Sequence, residues 1–317
     1  MKIGVIGIGK MGENHVRTYL SLPNHCELVG IYDIDEKRAN EIAKKYQIKP
    51  FHSLDNLLRS VDAVSIAVPT EFHYKVGLSC IKHNVHMLME KPITSTVDQA
   101  KDLINRAKKA GIKLQIGHIE LFNPLIQFLK NKLQTEKIVE IVHYRMSPHD
   151  DRTKDIDVVK DLMIHDLYIL DELLKDDYSD LYSLGKVING IPEHAVTMIK
   201  SLTGVTAQLT ASFKSIRKVR TINVVTEDAF FEVDILNNVM KISRSIKEDN
   251  SDIPVPIIET IQFDSSIKPL SLQVLDFMNC INKDGKPKVT GEDGLKILFL
   301  TNKISESIIH SIENKDK

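Results

Sequence analysis

The first twelve residues constrain this chain more than any other stretch. An apolar run from Lys2 to Ile6 leads directly into Gly7-Ile8-Gly9-Lys10-Met11-Gly12, and a helical pattern follows at once. Glycines at that spacing between a strand and a helix are what a dinucleotide-binding βαβ unit requires. The first permits the tight turn, the second lets backbone approach a pyrophosphate, and the third lets helix pack on strand. The pyrophosphate then meets the positive end of the helix. A second apolar run, Glu27–Tyr32, ends at Asp33-Ile34, about twenty residues on, where an acidic group reaches ribose hydroxyls. A carboxylate there repels a 2′-phosphate, so NAD is expected over NADP. Lys37 and Arg38 follow on the next helical pattern and are expected on its solvated face.

The rhythm after this unit separates two domains. Up to about residue 119, β-rich runs (63–68, His86–Met89, 113–116) alternate with amphipathic stretches (Glu36–Tyr46, 74–83, 96–110), as in a doubly wound parallel sheet. Beyond it, one long helical pattern (158–174) precedes period-two runs at 195–202, 205–213, 220–226 and 230–235. Turn signals Thr203-Gly204 and Asn237-Asn238 separate several of these, as in antiparallel hairpins. Helical patterns at 270–281 and 292–312 close the chain. The expectation is an α/β Rossmann domain over 1–119 and an α+β domain over 120–317 with a mostly antiparallel open sheet.

Composition excludes several partners. With 42 Lys and Arg against 43 Asp and Glu in 317 residues, there is no basic footprint for nucleic acid or an anionic membrane. Three scattered cysteines, Cys26, Cys80 and Cys280, fit neither a disulfide framework nor a zinc site and suit a reducing cytoplasm. The apolar start breaks at Lys10 and lacks a signal-peptide cleavage pattern, and no run reaches membrane-span length.

Four further stretches carry a resemblance. They are Ala67-Val68-Pro69-Thr70-Glu71-Phe72-His73-Tyr74, Met89-Glu90-Lys91-Pro92, Asp161-Leu162-Met163-Ile164-His165-Asp166 and Val289-Thr290-Gly291-Glu292-Asp293-Gly294. Together with the glycine loop they resemble the glucose–fructose oxidoreductase and inositol dehydrogenase family, Gfo/Idh/MocA. The resemblance implies that Pro69, Thr70 and His73 line the cofactor and that Glu90 and Lys91 sit at the nicotinamide, with Lys91–Pro92 cis. It also implies an open sheet face that builds a homodimer or homotetramer.

Sugar-alcohol oxidation needs a hydride acceptor, a proton acceptor and a positive group beside the developing alkoxide. Lys91 suits the last and His165 the proton. Asp161, four residues earlier on one helix face, suits orienting the imidazole. No metal is expected, because His and Cys at ligand spacing are lacking. The family usually carries DxxxHxxD, whereas Tyr168 stands at the last position here. Gly117-His118-Ile119-Glu120-Leu121-Phe122-Asn123-Pro124 resembles the GHxERFNP run of members that oxidise the 3-hydroxyl of UDP-N-acetylhexosamines, with Leu121 replacing Arg. That marks Glu120, Asn123 and Tyr168 as substrate candidates. Arg145 and Arg152, read on the loop that follows a strand over Ile138–Met146, are candidates for holding a diphosphate bidentately. The same loop reads equally as charge-balanced and solvated. Two other functions remain open: oxidation of a free sugar or cyclitol, and a catalytically silent dinucleotide sensor.

Overall fold

The computed structural model describes residues 1–149, 156–246 and 255–313, and the chain divides into two compact units. The first comprises Met1–Phe122 and Lys268–Phe299, the second Asn123–Ile267 and Leu300–Lys317. This corrects a simple division at residue 119. The reason is packing: helix α8 (Pro269–Asn282) places Leu270, Val274, Phe277 and Met278 in one buried cluster with Ile3, Val5, Val16 and Ile31.

The first unit holds a parallel sheet of β1 (Lys2–Ile6), β2 (Glu27–Tyr32), β3 (Ala63–Ile66), β4 (His86–Met89) and β5 (Leu114–Ile116), in the order β2-β1-β3-β4-β5. All four residues of β3 are buried, as expected of a strand covered on both faces. The helices are α1 (Lys10–Leu20), α2 (Glu36–Tyr46), α3 (Leu54–Leu58), α4 (Thr70–Lys82), α5 (Val97–Lys109), α8 and the first turns of α9 (Gly291–Glu313). The chain leaves β1 for one edge and returns to β3 on its other side. The carboxyl ends of β1 and β3 therefore flank a topological switch point, where ligands of such sheets bind. Strand β3 ends earlier than its apolar run suggests, and α4 begins at Thr70. Pro69, which has no N–H, sits at the helix entry with φ −55°.

The second unit is built on eight strands. These are β6 (Ile138–Met146), β7 (Tyr178–Ile188), β8 (Ile191–Ser201), β9 (Thr206–Ser212), β10 (Val219–Thr226), β11 (Ala229–Asp234), β12 (Val239–Ile246) and β13 (Val255–Gln262). Their order is β13-β12-β11-β10-β6-β9-β8-β7, antiparallel except for the parallel pair β6 and β9. Along β6, Ile141, His143 and Arg145 are buried while Val142 and Tyr144 are half-buried, so one face of the sheet carries the core. On the other face Tyr182, Leu184 and Met198 remain 64%, 47% and 42% exposed. Helices α6 (Pro124–Leu133) and α7 (Ile164–Leu174) complete the unit with the C-terminal turns of α9. Among the described residues no helix is long and apolar enough to cross a membrane.

Candidate active site

The glycine loop closes on the end of β1. Gly7 takes φ +84°, and a methyl group on Gly12 would lie 1.8 Å from the Gly7 carbonyl oxygen. Neither position accepts a side chain, because the neighbouring atoms are backbone. At Gly9, by contrast, a Cβ would meet nothing within 4 Å. Open space there, at the first turn of α1, is the cradle that a pyrophosphate needs. A cleft of about 650 Å³ runs from Gly7 and Gly9 past Asp33 and Ile34 to Pro69 and Phe72. Ile34 and Phe72 are 88% and 44% exposed, large apolar side chains at the lip of a polar loop. These features fit a dinucleotide. In the same loop, Lys10 is exposed and Met11 packs partly into the core.

Asp33 fixes the loop as well as facing the cleft. Ile8 N–H donates to Asp33 Oδ2 at 2.5 Å, and Asp35 N–H donates to Oδ1 at 2.9 Å. Arg38 is not a solvated bystander. Its Nε donates to the Ile8 carbonyl at 3.1 Å and its Nη2 to Glu13 at 2.8 Å. Hydrogen bonds from Lys45 and Tyr46, helped by the nearby cations, hold the Glu13 carboxyl below the usual carboxylate range. Arg38 is thus committed to bracing α1 against α2. Lys37 is exposed as expected.

Beyond β3 and β4 two loops are tied together by His73. Its imidazole is 1% exposed, with Nδ1 2.8 Å from the Pro92 carbonyl and Nε2 3.0 Å from the Val68 carbonyl. Burial pushes its pKa down, so the ring is neutral at pH 7 and donates to one carbonyl at a time. His73 therefore acts from beneath the cofactor loops, holding Val68-Pro69 to the cis Lys91–Pro92 bond. Glu90 N–H donates to the Ile66 carbonyl at 3.0 Å, which carries Glu90 and Lys91 off the end of β4. The Glu90 carboxylate lies 2.9 Å from Nε2 of His15, a residue that no motif marked. His118 is buried nearby, and burial together with the Lys91 charge pushes its pKa down to about 3.

In the second unit, the expected helix over 158–174 is two pieces. Val159–Met163 winds as a π-helical turn before α7, entered through Asp157, which accepts from Val159 N–H at 2.8 Å and from the Ser305 hydroxyl. Such turns are often found at functional sites. From Asp161 to Leu170, only Asp161 and His165 are not buried, so both lie on the uncovered side. His165 Nδ1 is 2.7 Å from the Tyr168 hydroxyl, and Tyr168 is 2% exposed. Tyr168, at the position where the family usually carries an acid, thus sets a buried phenol beside His165 Nδ1.

Arg145 requires a correction. It belongs to β6 rather than to the following loop, is 2% exposed, and its Nε donates to the equally buried Asp166 at 2.9 Å. His143 Nδ1 stands 3.5 Å from the same oxygen. Burial pushes the Asp166 carboxyl up, but the Arg145 charge and His143 outweigh it and leave it low. The guanidinium thus engages a buried carboxylate inside the unit through Nε. Arg152 lies outside the described residues. Glu120 is buried in a short 3-10 turn, Ile119–Phe122. Asn123 caps α6, its side-chain oxygen accepting from Leu125 N–H at 3.0 Å.

The glycine loop at a sheet switch point, with an acid ending the second strand, defines a Rossmann dinucleotide-binding protein. The chain belongs to the Gfo/Idh/MocA family of oxidoreductases. The model of that family, an oxidoreductase family with an NAD-binding Rossmann fold, matches residues 1–118. UDP-N-acetylglucosamine 3-dehydrogenase of Acidithiobacillus ferrooxidans is 31% identical over 94% of each chain. A solved structure of that enzyme matches with a TM-score of 0.91 over 98% of both chains. Scyllo-inositol 2-dehydrogenase (NAD(+)) of Bacillus subtilis is 23% identical over 92% of this chain and 90% of its own.

Proposed function

We propose that this protein oxidises a secondary hydroxyl of a sugar by hydride transfer to NAD, and that its substrate is a UDP-N-acetylhexosamine oxidised at the 3-hydroxyl. The observation that carries this reading is the likeness, over nearly the whole of both chains, to a UDP-N-acetylglucosamine 3-dehydrogenase. The dinucleotide supplies the hydride acceptor. Lys91 stabilises the alkoxide that develops as the hydroxyl proton leaves. His165 receives that proton at Nε2 in the tautomer whose Nδ1–H donates to the Tyr168 hydroxyl oxygen. Asp161 favours the charged imidazolium. NAD is preferred over NADP because Asp33 faces the cleft and Arg38 is tied to Glu13 and Ile8.

Assembly into a homodimer or homotetramer would cover the apolar face that Tyr182, Leu184 and Met198 expose. A second reading, oxidation of a free sugar or cyclitol, draws support from the pairing of Arg145 with buried Asp166, since Arg145 is one of the two arginines expected to hold a diphosphate. The two are separated by following reduced nicotinamide absorbance with UDP-N-acetylglucosamine, free N-acetylglucosamine and an inositol. Turnover on the nucleotide sugar at least tenfold above the others supports the first reading. Equal or better turnover on either free compound replaces it with the second.

A further inference from the structure

His15 stands in the second turn of α1 and is fully buried. Its Nε2 lies 2.9 Å from Glu90 Oε1, in a pair where the glutamate side chain is only 13% exposed. The other Glu90 oxygen packs on Gly117, where a Cβ would come within 3.0 Å of it. The carboxylate is thus clamped between a ring nitrogen and a backbone. His15 Nδ1 has no hydrogen-bond partner among the described residues. A buried N–H left unpaired is rarer and costlier than an unpaired acceptor, so the proton belongs on Nε2, which donates to Glu90.

The sheet order says what Glu90 faces. A dinucleotide with its pyrophosphate on the glycine loop and its adenosine toward Asp33, just past the end of β2, runs its other half over the ends of β3 and β4. Glu90 follows β4 directly. We infer that His15 is a positioning residue that holds the Glu90 carboxylate as acceptor for an O–H or N–H donor on the nicotinamide half of the cofactor. This deepens the dinucleotide reading proposed above and rests on it, but is independent of which sugar is oxidised.

The test is direct binding of NAD⁺, ADP-ribose and ADP, followed by calorimetry without any sugar. In His15→Leu, NAD⁺ affinity should fall roughly tenfold, the scale of one hydrogen bond to a charged group, while ADP affinity stays within about twofold. His15→Gln, which can still donate an N–H, should recover most of the loss. ADP-ribose weakened with NAD⁺ assigns the ribose hydroxyls as the donor, and ADP-ribose unchanged assigns the carboxamide. Glu90→Ala should give the same selective loss, and the double variant should lose no more than either single one. If His15→Leu does not fold, Glu90→Ala and His15→Gln carry the test. Equal loss for ADP and NAD⁺ would mean that His15 merely supports α1, and undiminished NAD⁺ binding in Glu90→Ala would also overturn the inference. Failure of wild-type protein to bind any of the three would instead count against the dinucleotide reading itself.

Discussion

Replacing Arg145 by Met tests the second unit at its most exposed weakness, a charge kept in an apolar interior. Asp166 is 2% exposed, and the Arg145 guanidinium lies 2.9 Å away. Removing one partner of such a pair costs about 3–5 kcal/mol, because the remaining charge is left buried. For a unit of this size, that corresponds to a melting point lower by roughly 6–20 °C. The pH dependence has a definite sign. In the wild type the Asp166 carboxyl is held low, so its contribution is present at neutral pH and is lost only as pH falls through that lowered value. In Arg145→Met burial dominates and raises the carboxyl, so the variant is worst at neutral pH and its deficit shrinks on acidification. Thermal melts by far-UV circular dichroism between pH 4.5 and 8 measure both effects. Arg145→Met combined with Asp166→Leu should melt closer to wild type than Arg145→Met alone. A single variant that melts within about 2 °C of wild type at pH 7, yet shows a tenfold higher KM for a nucleotide sugar, would refute this account and restore the diphosphate role.

Gly12→Ala should abolish NAD⁺ binding in a fluorescence titration and cost about 2 kcal/mol of stability, since its methyl would sit 1.8 Å from a backbone oxygen. Wild-type binding in that variant would contradict the loop geometry. Asp33→Ala should weaken NAD⁺ and narrow the gap to NADP⁺, because it removes both the carboxylate and the acceptor for Ile8 N–H; a wild type that prefers NADPH would overturn this. Tyr168→Phe should lower turnover about tenfold with the NAD⁺ dissociation constant unchanged, a single hydrogen bond being worth at most about 1.5 kcal/mol net. Unchanged turnover would remove the phenol from the site. Tyr182→Asp should shift sedimentation toward monomer if the exposed sheet face is the contact between copies.

The parts of this molecule that could be read in sequence are those where chemistry and local conformation coincide. The loop geometry at Gly7 and Gly12 was legible because a positive-φ turn and a close helix–strand contact each demand glycine. Strand β7 was missed although Asn189-Gly190, both at positive φ, closes the β7–β8 hairpin with the strongest short-range turn signal. Its alternation is blurred because serines, an aspartate and a lysine are spread along it. The role of Arg145 was misread for a different reason. Sequence shows that an arginine is near an acidic loop, but strand parity decides whether it points to solvent or to the core, and here it lies in register with buried Ile141 and His143. His15 gave no signal because its partner lies seventy-five residues away.

The inclusion of α8 in the first unit has a consequence for how the protein is made. The sheet that carries the glycine loop is complete once residue 116 has left the ribosome, but one wall of its core, with Val274 and Phe277, is encoded more than 150 residues later. At roughly 5–20 residues per second, the wait is on the order of ten to thirty seconds. Through that interval an apolar surface that includes Val5 and Val16 lacks its final cover, while the whole strand-rich middle of the chain emerges. The nascent dinucleotide-binding half is therefore expected to keep that apolar surface open until helix α8 arrives. A fragment that stops at residue 122 should express as an aggregating species rather than as a working cofactor-binding domain.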